Sequence, residues 1–190
     1  MRGYKALNED MSTKYGNMTY ELDKEYEIEG KLIMCENGYH FCKELINVFN
    51  YYPLDSRVFE IDTLDGEIIK EGDKYCSSKI KLIREVSEDE INKYIEDNLD
   101  KLINDPNQNI REAVAKKGYG LDKLINDESW YVRIEVADQG YGLDKLINDE
   151  DSEVREAVVN QGYGLDKLIN DPDQYVREIV IKQLYENKEW

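Results

Sequence analysis

The chain has 190 residues, 42 acidic against 25 basic side chains, and a formal net charge of −17. Nucleic-acid binding needs lysine and arginine to displace counterions, so direct binding to DNA or RNA is not expected. A basic protein surface is the charge-matched partner, although a merely solvated surface explains the same acidity.

No apolar run approaches the length of a membrane span. The opening residues, Met1-Arg2-Gly3-Tyr4-Lys5, lack the apolar stretch of a signal peptide. Three cysteines, an odd number, make no closed disulfide framework. A cytoplasmic protein is therefore expected.

Residues 20–28, 31–35, 58–64 and 79–86 are runs rich in β-branched and aromatic side chains, divided by turn signals such as Glu29-Gly30 and Asp65-Gly66. They predict strands. A helix is expected over about 42–51, with Leu45, Ile46 and Phe49 on one face, ended by Pro53. Residues 1–86 thus read as a small α+β domain. Ser87-Glu88-Asp89-Glu90 is a capping box. It opens a helix over 87–98, with Ile91, Tyr94 and Ile95 inward, expected to cap the first unit of the C-terminal half.

Residues 99–190 are built from repeats. Leu-Asp-Lys-Leu-Ile-Asn-Asp begins at Leu99, Leu121, Leu143 and Leu165, a period of 22 residues. A polar stretch comes next each time (106–109, 128–131, 150–153, 172–175), then Ile110-Arg111, Val132-Arg133, Val154-Arg155 or Val176-Arg177. Each unit reads as two short helices. Leu121, Leu124 and Ile125 make the stripe of the first; Val154, Ala157 and Val158 make that of the second. Asp127 is expected to cap the second helix, with Pro106 or Pro172 as its first residue. Gly140 or Gly162 is expected to stop it in a left-handed conformation. Neither helix is long enough to stand alone, so units must stack. The predicted fold class is α+β: the N-terminal domain followed by a right-handed α-solenoid of four 22-residue helical repeats.

The segment Asp171-Pro172-Asp173-Gln174-Tyr175-Val176-Arg177-Glu178-Ile179-Val180 resembles leucine-rich-variant and HEAT-like repeats, over roughly residues 95–186. That resemblance implies a superhelix of helix pairs that usually binds proteins. A second resemblance lies in Gly3-Tyr4-Lys5-Ala6, in Cys35-Glu36-Asn37-Gly38-Tyr39-His40-Phe41-Cys42, in Tyr51-Tyr52, in Gly72-Asp73-Lys74 and in residues 79–86. Together these are similar to an uncharacterised N-terminal domain common in phage and prophage proteins, over about residues 3–92. It implies no established activity, but implies a phage-borne protein.

The Asp105/127/149/171 and Arg111/133/155/177 columns have two readings. Four arginines could grip an acidic partner; the favoured reading is an Arg–Asp ladder within or between units, which sets register more than stability. The Tyr119/141/163 column is read as packing between units. Specificity should lie in the positions that vary, and the expected partner-binding residues are Glu128, Trp130, Tyr131, Glu150, Asp151, Glu153, Asp173 and Tyr175. Trp130 beside Tyr131 suits an interface anchor, or equally a residue packed on a neighbouring loop.

His40, Cys35, Cys42 and Cys76 form a legal zinc set, but Cys-x₄-His-x-Cys is not a usual ligand spacing and Cys76 is remote. His40 and Cys42 on one strand face admit a Cys/His dyad, with no evident orienting group. The favoured reading is cysteines as small apolar core residues. No catalytic residue, metal, cofactor or small-molecule substrate is therefore expected. The function expected is a non-enzymatic, acidic binding protein. It would be phage-borne, a counter-defence (anti-CRISPR) inhibitor that blocks the basic nucleic-acid-binding surface of a host nuclease in the host cytoplasm. The alternatives are an enzyme or metal domain centred on His40/Cys42, or a structural phage component.

Overall fold

The computed structural model describes residues 1–54 and 56–186. The chain forms two compact units, Met1–Tyr94 and the residues from Ile95 onward. The class is α+β, an antiparallel sheet followed by a helical region. No helix among the described residues is long and apolar enough to cross a membrane.

In the first unit the strands are β1 Arg2–Leu7, β2 Glu25–Glu27, β3 Tyr39–Cys42, β4 Arg57–Asp62, β5 Ile68–Glu71, β6 Lys74–Ser77 and β7 Lys79–Val86. They pair antiparallel in the order β2-β7-β4-β1-β3-β6-β5. The core gathers Leu7, Tyr20, Phe41, Phe59, Ile61, Ile80 and Leu82. Val58 and Phe59 are consecutive and both buried, so this part of the sheet is covered on both faces. A bulge between Glu60 and Ile61 in the β4–β7 pairing shifts the register and sets Arg84 beside Glu60.

The structure departs from the expected elements where long-range pairing outweighs local pattern. Of residues 20–28 only β2 is a strand; Tyr20 enters the core and Asp23 turns at φ +60°. Residues 31–35 are a turn closed by an Ile33–Asn37 bridge, with Cys35 at φ +63°. The expected helix over 42–51 is a 3₁₀ helix, Leu45–Asn50, because Cys42 is held in β3 opposite Tyr4 and Lys74. Its apolar residues Leu45, Ile46, Val48 and Phe49 are still all buried.

The capping box forms as read: the Ser87 N–H donates to Glu90 Oε2 at 3.0 Å, and the Glu90 N–H to Ser87 Oγ at 3.2 Å. It opens α1, Glu88–Asp97. Beyond it a four-residue and a longer helix alternate: α2 Leu99–Leu102, α3 Gln108–Lys116, α4 Leu121–Leu124, α5 Trp130–Asp138, α6 Leu143–Leu146, α7 Ser152–Asn160, α8 Leu165–Leu168 and α9 Gln174–Glu186. The long helices pack in succession, α3 on α5, α5 on α7 and α7 on α9, and each short helix packs on the long one after it.

Arginine joins one unit to the next. Arg111 Nε and Nη2 donate to the two carboxylate oxygens of Asp127 at 2.7 and 2.8 Å. Arg133 grips Asp149 at 2.8 and 2.8 Å, and Arg155 grips Asp171 at 2.7 and 2.8 Å. The remaining Nη1 donates back to the carbonyl of Asp105, Asp127 or Asp149 at 2.9, 2.9 and 2.8 Å. Burial alone would raise the carboxyls of Asp127 and Asp171, but the arginine hydrogen bonds, backbone N–H donors and neighbouring cations hold both below the ordinary aspartate range.

The aspartates do not cap the following helix as expected. Asp127 Oδ1 accepts the Ser129 N–H at 2.9 Å, an Asx turn, and the cap position falls to Asn107, Ser129 or Asp151. The carboxylate is needed by arginine, which leaves the cap to the residue two positions on. Pro106 likewise lies before the cap rather than inside α3.

Gly-Tyr-Gly closes each of the long helices α3, α5 and α7. The Gly140 N–H donates to the Ala137 carbonyl at 2.8 Å and the Tyr141 N–H to that of Val136 at 3.2 Å, the double bond of a Schellman stop. The second glycine, Gly142, also has positive φ (62°), and a Cβ there would sit 2.1 Å from Ile125 Cδ1. Ile125 and Ile147 are covered in this way, while Ile169 is 38% exposed. The tyrosines between the glycines lie at the surface, 36–42% exposed, rather than packed between units as expected. As second residue past the helix end, each is committed through its backbone N–H.

Two substitutions test these joints. Arg133→Ala should cost about 3–5 kcal/mol in urea unfolding by stranding a buried carboxylate, and the paired change Arg133→Met/Asp149→Leu should cost clearly less. Gly140→Ala should cost about 1–2 kcal/mol for its left-handed backbone, and Gly142→Ala more, because Ile125 must also move.

Candidate functional site

The expected partner-binding residues occupy the loop between the short and long helices and the first turn of the long helix. Glu128 and Glu150 project into solvent, their side chains 88% and 91% exposed. They approach Arg111 and Arg133 only at 3.5 and 3.8 Å, and those arginines are already committed to Asp127 and Asp149. Glu153 is exposed, as are Tyr131 and Tyr175. Positions 131, 153 and 175 are equivalent in successive units, and so are 128 and 150; the succession α5, α7, α9 arrays them along one edge.

Asp151 and Asp173 belong to the same edge but are partly committed to the backbone. Asp151 Oδ1 accepts the Glu153 N–H at 2.9 Å, and Asp173 Oδ1 accepts the Tyr175 N–H at 2.8 Å. Trp130 is half-buried and stacks on Tyr131, ring centroids 3.6 Å apart and 26° between planes. The pair is one aromatic plate with Tyr131 as its exposed part.

The His40 region has a different character. His40 Nε2 accepts the Cys35 N–H at 3.0 Å, so the lone pair a dyad would use is turned to a backbone amide rather than to Cys42. Burial, with the cations of Lys5 and Lys74, pushes the imidazole down to about 4. Burial and Asp73 push the Cys42 thiol up to about 12, against the pull of Lys5 and Lys74; burial takes Cys76 to about 11. Both thiols are protonated at neutral pH, unlike a nucleophilic cysteine. Among the described residues no group of three His, Cys, Asp or Glu side chains is placed to hold a metal ion.

Residues 1–94 match a family described as a domain of unknown function, DUF7666. This extent coincides with the first compact unit and takes in residues 3–92, the span that resembles an uncharacterised domain. No curated protein and no solved structure matches the chain.

The His40 environment is measurable. Its folded value lies below the ordinary 6.5, so the unfolded chain takes up this proton first as pH falls. The site's contribution to stability is therefore present above about 6.5 and lost on the way down to about 4. The ring carbons should show no titration step between pH 7 and 5 by NMR, whereas an ordinary histidine completes most of its shift there.

Proposed function

We propose that the protein is a non-enzymatic binding protein whose C-terminal residues form a right-handed α-solenoid of four 22-residue repeats. Its acidic edge docks on a basic protein surface. The observation that carries this reading is where the positive charge goes. Arg111, Arg133 and Arg155 are spent in buried pairs with the next unit's aspartate, so the edge keeps Glu128, Glu150 and Glu153 exposed. Tyr131 and Tyr175 beside them supply the amphipathic area that interface hot spots favour.

Because residues 3–92 resemble a domain common in phage and prophage proteins, the partner we propose is a host nuclease. The acidic edge would occupy its basic nucleic-acid channel, which makes the protein a phage-borne counter-defence inhibitor of the anti-CRISPR kind, acting in the host cytoplasm. Such an interface gains much of its association rate from charge, and so weakens with salt.

The test is capture from nuclease-treated bacterial lysate, comparing the wild type with a Glu128→Lys/Glu150→Lys/Glu153→Lys variant. A basic nuclease retained by the wild type, released by raised salt and lost by the variant, is expected. Equal retention by both proteins, or direct binding of the wild type to free DNA or RNA at low salt, would overturn the reading.

A further inference from the structure

One cavity of the first unit contradicts the charge of the rest of the chain. It encloses about 290 Å³ and lies against β1, β3, the 3₁₀ helix and the start of β6. In a protein with 42 acidic side chains, its lining among the described residues holds three lysines, Lys5, Lys14 and Lys74, and no aspartate or glutamate.

None of the three ammonium groups forms an ion pair among the described residues. Lys5 Nζ donates to the His40 carbonyl at 2.8 Å, and Lys14 Nζ to the Tyr51 carbonyl at 2.9 Å. Lys74 Nζ stands over the Tyr51 ring, 4.5 Å from its centroid. Neutral carbonyls and a ring face orient these cations without cancelling their charge, and each ammonium has three N–H donors to use. Asp73, next to Lys74 in the chain, lies outside the lining and is engaged by Tyr51 Oη at 2.5 Å and Asn50 Nδ2 at 2.7 Å.

Lys5 is the strongest indication. It is only 7% exposed, on the central strand β1, and a buried cation is costly unless paired. Burial lowers its ammonium to about 8, so it still carries charge through most molecules at pH 7. A second buried group on the same lining, Thr13 Oγ1, has no hydrogen-bond partner among the described residues. Tyr4, Phe41, Tyr51 and Tyr52 give the lining much of its aromatic surface. A concave, largely apolar site with a few convergent polar groups is the ordinary form of a small-ligand pocket, and this volume stands at the small end of that range.

We propose that this cavity binds a small aromatic anion, its phosphate or carboxylate head between Lys5, Lys14 and Lys74 and its flat body against the tyrosines. The site is independent of the acidic edge and does not rest on the partner proposed for it. Lysine suits either head as a point charge, and the absence of arginine from the lining removes bidentate selection for a carboxylate.

The experiment uses the full chain, titrated with adenosine 5′-monophosphate and with benzoate, and with adenosine as the uncharged control. Backbone amide NMR and calorimetry are the readouts. Amide shifts confined to the neighbourhood of Lys5, His40, Tyr51 and Lys74 are expected with at least one of the anions, and which anion gives them identifies the head group. Lys14→Gln and Lys74→Gln, both on side chains outside the core, should each weaken that binding about tenfold while leaving the free protein's spectrum otherwise intact. Lys5→Met should abolish it, with thermal unfolding measured in parallel. The proposal is overturned if neither anion shifts these amides at millimolar concentration, if adenosine binds as well, or if both glutamine variants bind like the wild type.

Discussion

The helical region depends on a single repeated fork, an arginine whose three nitrogen positions reach two consecutive units. Nε and Nη2 take both oxygens of an aspartate sixteen positions on, while Nη1 returns to the carbonyl six positions back. The aspartate in turn accepts a backbone N–H two residues along and so shapes the loop that starts the next helix. One side chain therefore couples loop, helix and neighbour, and lysine, a point charge without the planar fork, would not reproduce it. Apolar replacement of a buried ion pair usually costs far less than breaking one, so the ionic version secures register between units more than it adds stability.

The rest of the unit is explained by how little its helices can do alone. A four-residue helix has no independent stability, and α2, α4, α6 and α8 exist because they pack on the long helix after them. The two glycines of Gly-Tyr-Gly make that arrangement possible for different reasons. The first accepts the left-handed stop of the long helix; the second leaves room for the isoleucine of the preceding unit. The same internal use of arginine has an external consequence. It withdraws positive charge from the surface and leaves the edge that carries Glu128, Glu150 and Glu153 acidic.

The first unit distributes charge the opposite way. Strands β4 and β7 carry partly exposed ion pairs such as Arg57–Glu85 and Lys79–Asp65, which contribute little individually. Its cations Lys5, Lys14 and Lys74 instead meet around a cavity whose described lining has no carboxylate. Burial, together with Lys5 and Lys74, keeps His40 neutral, and burial keeps Cys42 and Cys76 as thiols. Of the two thiols only Cys42 lines the cavity, where it stays protonated beside the lysines.

What the sequence alone determined is what depends on near neighbours or recurs at a fixed interval. The period of 22 residues, the glycine stop, the Arg–Asp partnership and the Ser87–Glu90 box were legible because each is set within a few positions or repeated often enough to reveal its partner. Strand β7 was legible for the same reason, as a local run rich in β-branched and apolar side chains. What only the tertiary structure decided involves partners with no such signature. β1 pairs with β4 fifty to sixty residues away, and it is this pairing, with β3 on the other side, that buries Lys5. By itself a lysine between Tyr4 and Ala6 reads as a solvent-facing strand position. Likewise the apolar stripe of Leu45, Ile46 and Phe49 suits either an α-helix or a 3₁₀ helix, and the choice fell to the strand that holds Cys42. Local sequence states which side chains seek burial; the pairing of distant strands decides what they are buried with.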